Sequence, residues 1–288
     1  MQVLFDQLMN GLTAGAEIAL IAAGLSLMFG VLEIVNFAHG ELYMLGAIFL
    51  YIAESSLGFP YRSAAVLSVA TMLPFGALFY AVVVHRILNR GWQVQLVATL
   101  AVSVLLVNLV IVVLGAPAKL VPSPLMTTYV IGGMRISEQR ILVLITAVIA
   151  FVLLFCFFRF AKLGKAMRAV AQNREAASVV GIQTERVGLA AVVASCLLAG
   201  VAGATIAPLY NVQPSMGTAV IVKAFAAVIM GGFGNVTGAI VSAVVLGLVE
   251  AFSIAYIASD YADLVVFGVM ILVLVVRPQG VFGRVVRR

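Results

Sequence analysis

Charge is scarce in this chain. Of 288 residues, 10% are Asp, Glu, Lys or Arg and 64% are hydrophobic, and the mean hydropathy is +1.20. Soluble domains are about half apolar, so this composition excludes a water-soluble globular fold. Cysteine is scarcer still. Cys156 and Cys196 both fall in apolar stretches, where two thiols make neither a disulfide framework nor a metal set and read as small apolar filler. The two histidines, His39 and His85, lie on either side of two expected spans with no third clustered ligand, which argues against a metal site. No stretch matches G-x-x-x-x-G-K-[ST]: Gly164-Lys165 lacks both the upstream Gly and the following hydroxyl, so the chain has no such loop to cradle ATP phosphates. Nucleophile–base sets are missing, which argues against an enzyme. Alternation of period two is missing as well, which argues against a membrane barrel. The start, MQVLFDQLMN, lacks a basic region and carries Asp6, so its first hydrophobic segment is expected to stay in the mature protein.

What the chain has is a series of apolar windows of the length a helix needs to cross hydrocarbon. They predict an all-α, polytopic transmembrane bundle of eight or nine spans, as a single domain over 1–288. The candidates are 10–30, 42–57, 63–84, 93–115, 139–158, 188–210, 217–231, 235–258 and 261–277. Twelve Lys and Arg fall in one set of loops, at Arg86 and Arg90, from Arg159 to Arg186, and from Arg277 to Arg288. Four fall in the other set, at Arg62, Lys119, Arg135 and Arg140. The positive-inside rule then places the N-terminus outside and the C-terminus in the cytoplasm. The net charge of +6 follows from that topology and not from nucleic-acid binding.

Two spans are short. A straight helix over 217–231 covers about 22 Å of a core of about 30 Å, and 42–57 does little better. Each adjoins a turn-rich break, EIVNFAHGE (Glu33 to Glu41) and GGFGN (Gly231 to Asn235). Irregular backbone at membrane depth survives only where protein buries it or it lines a wet cavity, and interrupted segments in corresponding halves point to a transport pathway. Asn36/Gly40 and Asn235/Gly238 suggest a faint internal correspondence. Gly11 and Gly15, Gly200 and Gly203, and Gly234 and Gly238 mark close helix packing, within the bundle or between subunits.

One segment is polar. From Lys165 to Ile182 the chain reads KAMRAVAQNREAASVVGI, inside a loop of about 159–187. Leu163, Ala166, Met167 and Val170 share one helical face; Lys165, Arg168, Gln172 and Glu175 share another. Asn173 caps a second, short helix through Arg174 and Glu175, Gly181 stops it, and Thr184 is placed to cap the next span. A connector needs only 2–8 residues, so this length and order predict a docking element.

Glu175-Ala176-Ala177 with Gly181 resembles the EAA-x-x-x-G core of the coupling loop in ABC importer permeases, without that pattern's later Ile and Leu-Pro. GVLEIVNFAHGELYMLGA (Gly30 to Ala47), KAFAAVIMGGFGNVTGAIVSAVVLGLVEA (Lys223 to Ala251) and RPQGVFG (Arg277 to Gly283) are similar to the LivH-type permeases of branched-chain amino acid ABC transporters. The resemblance covers nearly the whole chain. It implies a permease subunit in a bacterial inner membrane that binds no cofactor itself. It also implies a second homologous permease, two cytoplasmic ATPases that bind the ATP, and a periplasmic substrate-binding protein. It places Arg168, Asn173, Arg174, Glu175, Ala176, Ala177 and Gly181 at the ATPase contact.

Charges within spans cost at least about 2.5–3.5 kcal/mol each and need partners or water. Lys223 and Glu250, on neighbouring spans, fit an ion pair holding the GGFGN break, or a contact with a zwitterionic substrate. Glu17 is placed near enough to the outer surface to reach water. Asn36, His39, Glu41 and Asn235 complete the candidate pathway or gate. Asn36 is expected to tie free backbone groups at the first break, and His39 fits either a gate or a hydrogen bond across the kink. The rival reading is an ion-coupled secondary transporter with Glu17, Lys223 and Glu250 as its relay; it leaves the polar loop without a purpose.

Overall fold

Gly11 and Gly15 set the first contact of the fold. In this computed structural model, which describes residues 2–122, 127–131 and 134–283, they lie on α1 (Gln2–Leu32) against Val244 and Leu248 of α10 (Val236–Tyr256). A Cβ at Gly15 would stand 2.9 Å from Val244 Cα, so only glycine permits this approach. The Gly pairs of the other spans likewise serve packing inside the chain: Gly46 meets Gly200, and Gly30 meets Gly234. Arg284, Arg287 and Arg288, which the charge bias counts, lie outside the described residues.

All nine expected spans are present as helices. They are α1; α2 (His39–Tyr51), extended by a π-helical turn over Ile52–Ser56; α3 (Tyr61–Ile87); α4 (Trp92–Leu114); α5 (Glu138–Phe160); α8 (Thr184–Ile206); α9 (Met216–Gly231); α10; and α11 (Ala262–Val276). Two helices outside the spans, α6 (Lys162–Gln172) and α7 (Arg174–Val179), follow α5. Seven of the helices are long and apolar enough to cross a membrane. The chain is a multi-pass helical membrane protein. Its α1 forms the centre, with 89% of its apolar window buried, whereas α4, α5 and α11 bury 11% and present apolar faces to lipid.

Two differences from the sequence reading have local causes. Residues Thr128–Ile131 (β1) and Met134–Ser137 (β2) form an antiparallel hairpin ahead of α5, too short for its alternation to register beside the long apolar runs. Thr184 is the first residue of α8 and not its cap; Gln183 precedes it with no side-chain bond to the helix.

The main helix contacts recur when α1, α2, α3 and α4 are exchanged with α8, α9, α10 and α11. Thus α1 packs on α10 as α3 does on α8, α2 on α8 as α1 does on α9, and α2 on α4 as α9 does on α11; α1 meets α8 and α2 meets α9 across the centre. Gly24 lies against Ser195 and Leu32 against Gly188, so α1 and α8 run in opposite directions. The chain therefore contains two inverted four-helix sets, the arrangement in which transporters place their sites at the repeat interface. The structural counterpart of the first break is residues 207–215, leading into α9. The GGFGN stretch, matched to it on an Asn and a Gly, is instead the turn between α9 and α10.

Candidate functional site

After α1 the chain reverses at Glu33, whose φ of 56° is left-handed and costs an L-residue about 1–2 kcal/mol. It then climbs back beside the helix it has just left. Asn36 donates to Met28 Sδ at 3.6 Å, and a ring nitrogen of His39 lies 3.1 Å from the Ile21 carbonyl. At 1.5 Å per residue, Ile21 is about 16 Å back from the end of α1, so α2 begins deep in the bundle. Protein buries this irregular run: Ile34, Asn36 and Ala38 are fully buried, Asn36 Oδ1 accepts from the Ala38 N–H at 3.1 Å, and Thr99 donates to the Val35 carbonyl. Asn36 ties the break as expected.

The N-terminus of α9 comes to the same place. Gly40 and Gly217 lie backbone to backbone, each with the other's carbonyl where a Cβ would go, and Phe37 meets Phe225 with tilted rings whose centroids are 4.8 Å apart. Two broken helices thus meet N-terminus to N-terminus, and their dipoles focus positive potential on the junction. Asn36, His39 and Glu41 are all buried beside it; His39 Nδ1 and Glu41 Oε2 have no hydrogen-bond partner among the described residues.

Further along the bundle, Lys223 Nζ lies 2.6 Å from Glu250 Oε1 and 3.2 Å from Asp263 Oδ1. The expected ion pair exists, with a third member that joins α9, α10 and α11. It does not hold the GGFGN break. That turn is secured by the tail: the Val281 N–H donates to the Met230 carbonyl at 2.8 Å, Asn235 Nδ2 donates to the Phe282 carbonyl at 3.0 Å, and Asn235 Oδ1 caps α10 through the Gly238 N–H. Asn235 is therefore brought to the tail and not to the ion cluster. Glu17 does not reach water either; it is buried and accepts a 2.6 Å hydrogen bond from Tyr43.

The polar loop folds as a helix, a kink and a shorter helix. Met167 and Val170 of α6 are buried, while Leu163 is exposed. Asn173 breaks the helix at φ −160° and its Oδ1 accepts from the Ala176 N–H at 2.9 Å. The end of α7 is a Schellman motif. The Ile182 N–H donates to the Ala177 carbonyl, and the Gly181 N–H to that of Ser178. Gly181 takes φ +85° as this end requires. Ala177 is buried under α7, whereas Arg168, Asn173, Glu175, Ala176, Val179 and Val180 face outward and Arg174 is half-buried. Val179, the last residue of this short helix, and Val180, its C-cap, are exposed and form an apolar tip with no partner among the described residues.

Sequence reasoning missed Tyr43, Asp263 and the tail. Tyr43 carries no charge to mark it, Asp263 stands at a span edge where acids are ordinary, and the tail's role rests on backbone bonds.

The model of the family described as branched-chain amino acid transport system permease component matches residues 7–274. The chain is 32% identical over 294 residues to the high-affinity branched-chain amino acid transport system permease protein LivH of Salmonella typhimurium, covering 97% of this chain and 95% of that protein. It is 33% identical over 294 residues to the permease protein BraD of Pseudomonas aeruginosa, again covering 97% and 95%. Among solved structures, PsaBC from Streptococcus pneumoniae in complex with Fab superposes with a TM-score of 0.50 at 12% identity, over 94% of this chain and 91% of that one, a likeness of fold alone.

Proposed function

The chain belongs to the family of branched-chain amino acid transport system permease components, and from that membership we propose that it is the membrane-spanning subunit of an ATP-driven importer of branched-chain or related amino acids. The observation that carries the reading is the family match over residues 7–274, in a chain whose one polar excursion folds into an outward-facing, capped helix. In this reading α7 seats in a groove of a cytoplasmic ATPase. Val179 and Val180 supply its apolar tip, with Arg168, Arg174 and Glu175 around it. ATP is held by two such ATPases, and a second, homologous permease and a periplasmic binding protein complete the importer.

The proposed orientation puts the N-terminus in the periplasm and α7 in the cytoplasm. Contacts between segments assigned to the same side support the sorting into two sides: Lys119 bridges Val212 and Gln139 reaches Tyr61 on one, and the tilted rings of Phe29 and Phe233 meet on the other. The excess of Lys and Arg makes the second side the cytoplasm. Closure of the ATPase dimer draws the α7 helices together and rocks the inverted helix sets against each other. Asn36, His39 and Glu41 at the junction of half-helices, and Lys223 and Glu250 in the ion cluster, face the route that this motion opens. Asn235 keeps the α9–α10 turn rigid.

Purification of the tagged chain from its native membrane in mild detergent tests the reading. Two ATPases and a second permease are expected with the wild type, and the ATPases are expected to be lost with Glu175→Arg. A homomer without ATPases would favour ion-coupled transport instead.

A further inference from the structure

The corner between α5 and α6 concentrates positive charge. Arg159, Lys162, Lys165 and Arg168 follow one another there, and residues 139–174 contain no Asp or Glu. All four are exposed, and none forms an ion pair among the described residues. The positive-inside rule accounts for the sign of these charges and for their side of the membrane. It does not account for their arrangement.

Arg159 completes a stripe on α5. Val148, Val152 and Phe155 share one helical face, all more than half exposed, and Arg159 stands one turn further along that face. The adjoining face, through Ile149, Leu153 and Cys156, ends on Phe160, which is 71% exposed. Residues 141–158 carry no charge. At 1.5 Å per residue the step from Arg140 to Arg159 covers about 28 Å, close to the hydrocarbon thickness of about 30 Å. Arg159 therefore stands at headgroup level, at the end of a face that lies against acyl chains. The next helix brings two lysines to the same level. The chain turns at Ala161, and Gly164 sits against the last turn of α5, where a Cβ would stand 2.8 Å from Phe158 Cα. Lys165 follows Gly164 directly, and Lys162 lies one turn before it. Because α6 packs on α5, α8 and α1 with Met167 and Val170 buried, its first turn is pinned to the bundle.

Basic side chains next to exposed apolar ones, at the edge of the hydrocarbon, match a ligand with an anionic head and apolar tails. A cytoplasmic protein can meet the charges but not the stripe, which lies within the bilayer. We propose that the α5–α6 corner binds an anionic phospholipid. Arg159, Lys162 and Lys165 donate charge-assisted hydrogen bonds to its phosphate, and an acyl chain lies along Val148, Val152 and Phe155. Phe160 and Leu163 flank the head-to-tail boundary. The bound lipid then fixes the start of α6, which leads through Asn173 into α7. The inference goes beyond the importer reading and does not rest on it, since the corner needs only the membrane-spanning fold.

The test uses the chain purified with whatever copurifies, delipidated in detergent. It is titrated with phosphatidylglycerol or with phosphatidylcholine of the same chains, and bound lipid is counted by native mass spectrometry. The wild type is expected to bind phosphatidylglycerol about a hundredfold more tightly than phosphatidylcholine, the combined effect of three basic residues. Arg159→Gln with Lys162→Gln and Lys165→Gln should abolish that preference. Should this variant not fold, Lys162→Gln with Lys165→Gln, confined to exposed positions of α6, should lose about thirtyfold. Lys162→Arg with Lys165→Arg should bind as the wild type does. Arg86→Gln with Arg90→Gln and Arg186→Gln removes the same charge from the same side and should leave the preference intact. Equal losses in the two triple variants would mean diffuse attraction and overturn the site, as would a wild type that does not distinguish the two lipids. Displacement of the lipid by excess inorganic phosphate would overturn it in favour of a free-phosphate site. Unchanged lipid binding with loss of copurified ATPases from the Arg159 variant would give the corner to the ATPase.

Discussion

At the scale of single residues, the Lys223 cluster predicts an asymmetry between substitutions. Glu250→Gln leaves Lys223 with Asp263 as a partner. Lys223→Met leaves two carboxylates without a counter-ion; Lys223 and Glu250 are partly exposed and Asp263 largely so, which keeps the cost below the roughly 3–5 kcal/mol of breaking a fully buried pair. Lys223→Met is therefore expected to lower the melting temperature in detergent well beyond Glu250→Gln. Exchanging the pair, Lys223→Glu with Glu250→Lys, should restore transport only partly, because it sets a second carboxylate beside Asp263. Adding Asp263→Asn should restore more, and equal recovery with and without it would show that Asp263 is not part of the cluster. Lys223 and Glu250 were legible because a lone charge in each of two neighbouring apolar spans requires a partner. Asp263 was not, because an acid at a span edge has water at hand.

At the scale of elements, the two Asn caps separate stability from coupling. Each cap contributes about 1 kcal/mol to its helix. Asn235→Ala removes the α10 cap and the bond to the tail, so the melting temperature of the bundle should fall. Asn173→Ala loosens only α7, which stands outside the bundle, so the melting temperature should hold while copurified ATPase declines. At the junction of half-helices, Gly40→Val puts side-chain atoms into the Gly217 carbonyl, and overpacking of this kind costs about 1–3 kcal/mol. The expected result is a lower folded yield by size-exclusion chromatography, and Gly217→Val should match it. An unaffected Gly40→Val would mean that the two N-termini are not pressed together. The half-helices could be read from their length alone, because 16 residues do not span hydrocarbon. The climb of residues 33–38 beside α1, and their pairing with 207–215, could not. Both depend on which backbone groups find partners across the bundle, and composition carries no trace of that.

At the scale of the whole molecule, hydropathy was enough to find nine helical segments, since each window pays separately for its place in lipid. Their inverted arrangement is a property of contacts between α1 and α8 and between α2 and α9, made by glycines that read locally as packing residues. The polar loop stood out for the opposite reason, as charge and amphipathic order where the rest of the chain has little. The proposed role, half of an ATP-powered gate, is tested most directly by leucine uptake into proteoliposomes holding the complete copurified complex. With the binding protein present, uptake is predicted to require ATP and to persist when an uncoupler has collapsed the ion gradient. Uptake that ignores ATP and stops with the uncoupler would contradict it, and would return Glu17, Lys223 and Glu250 to the role of an ion relay.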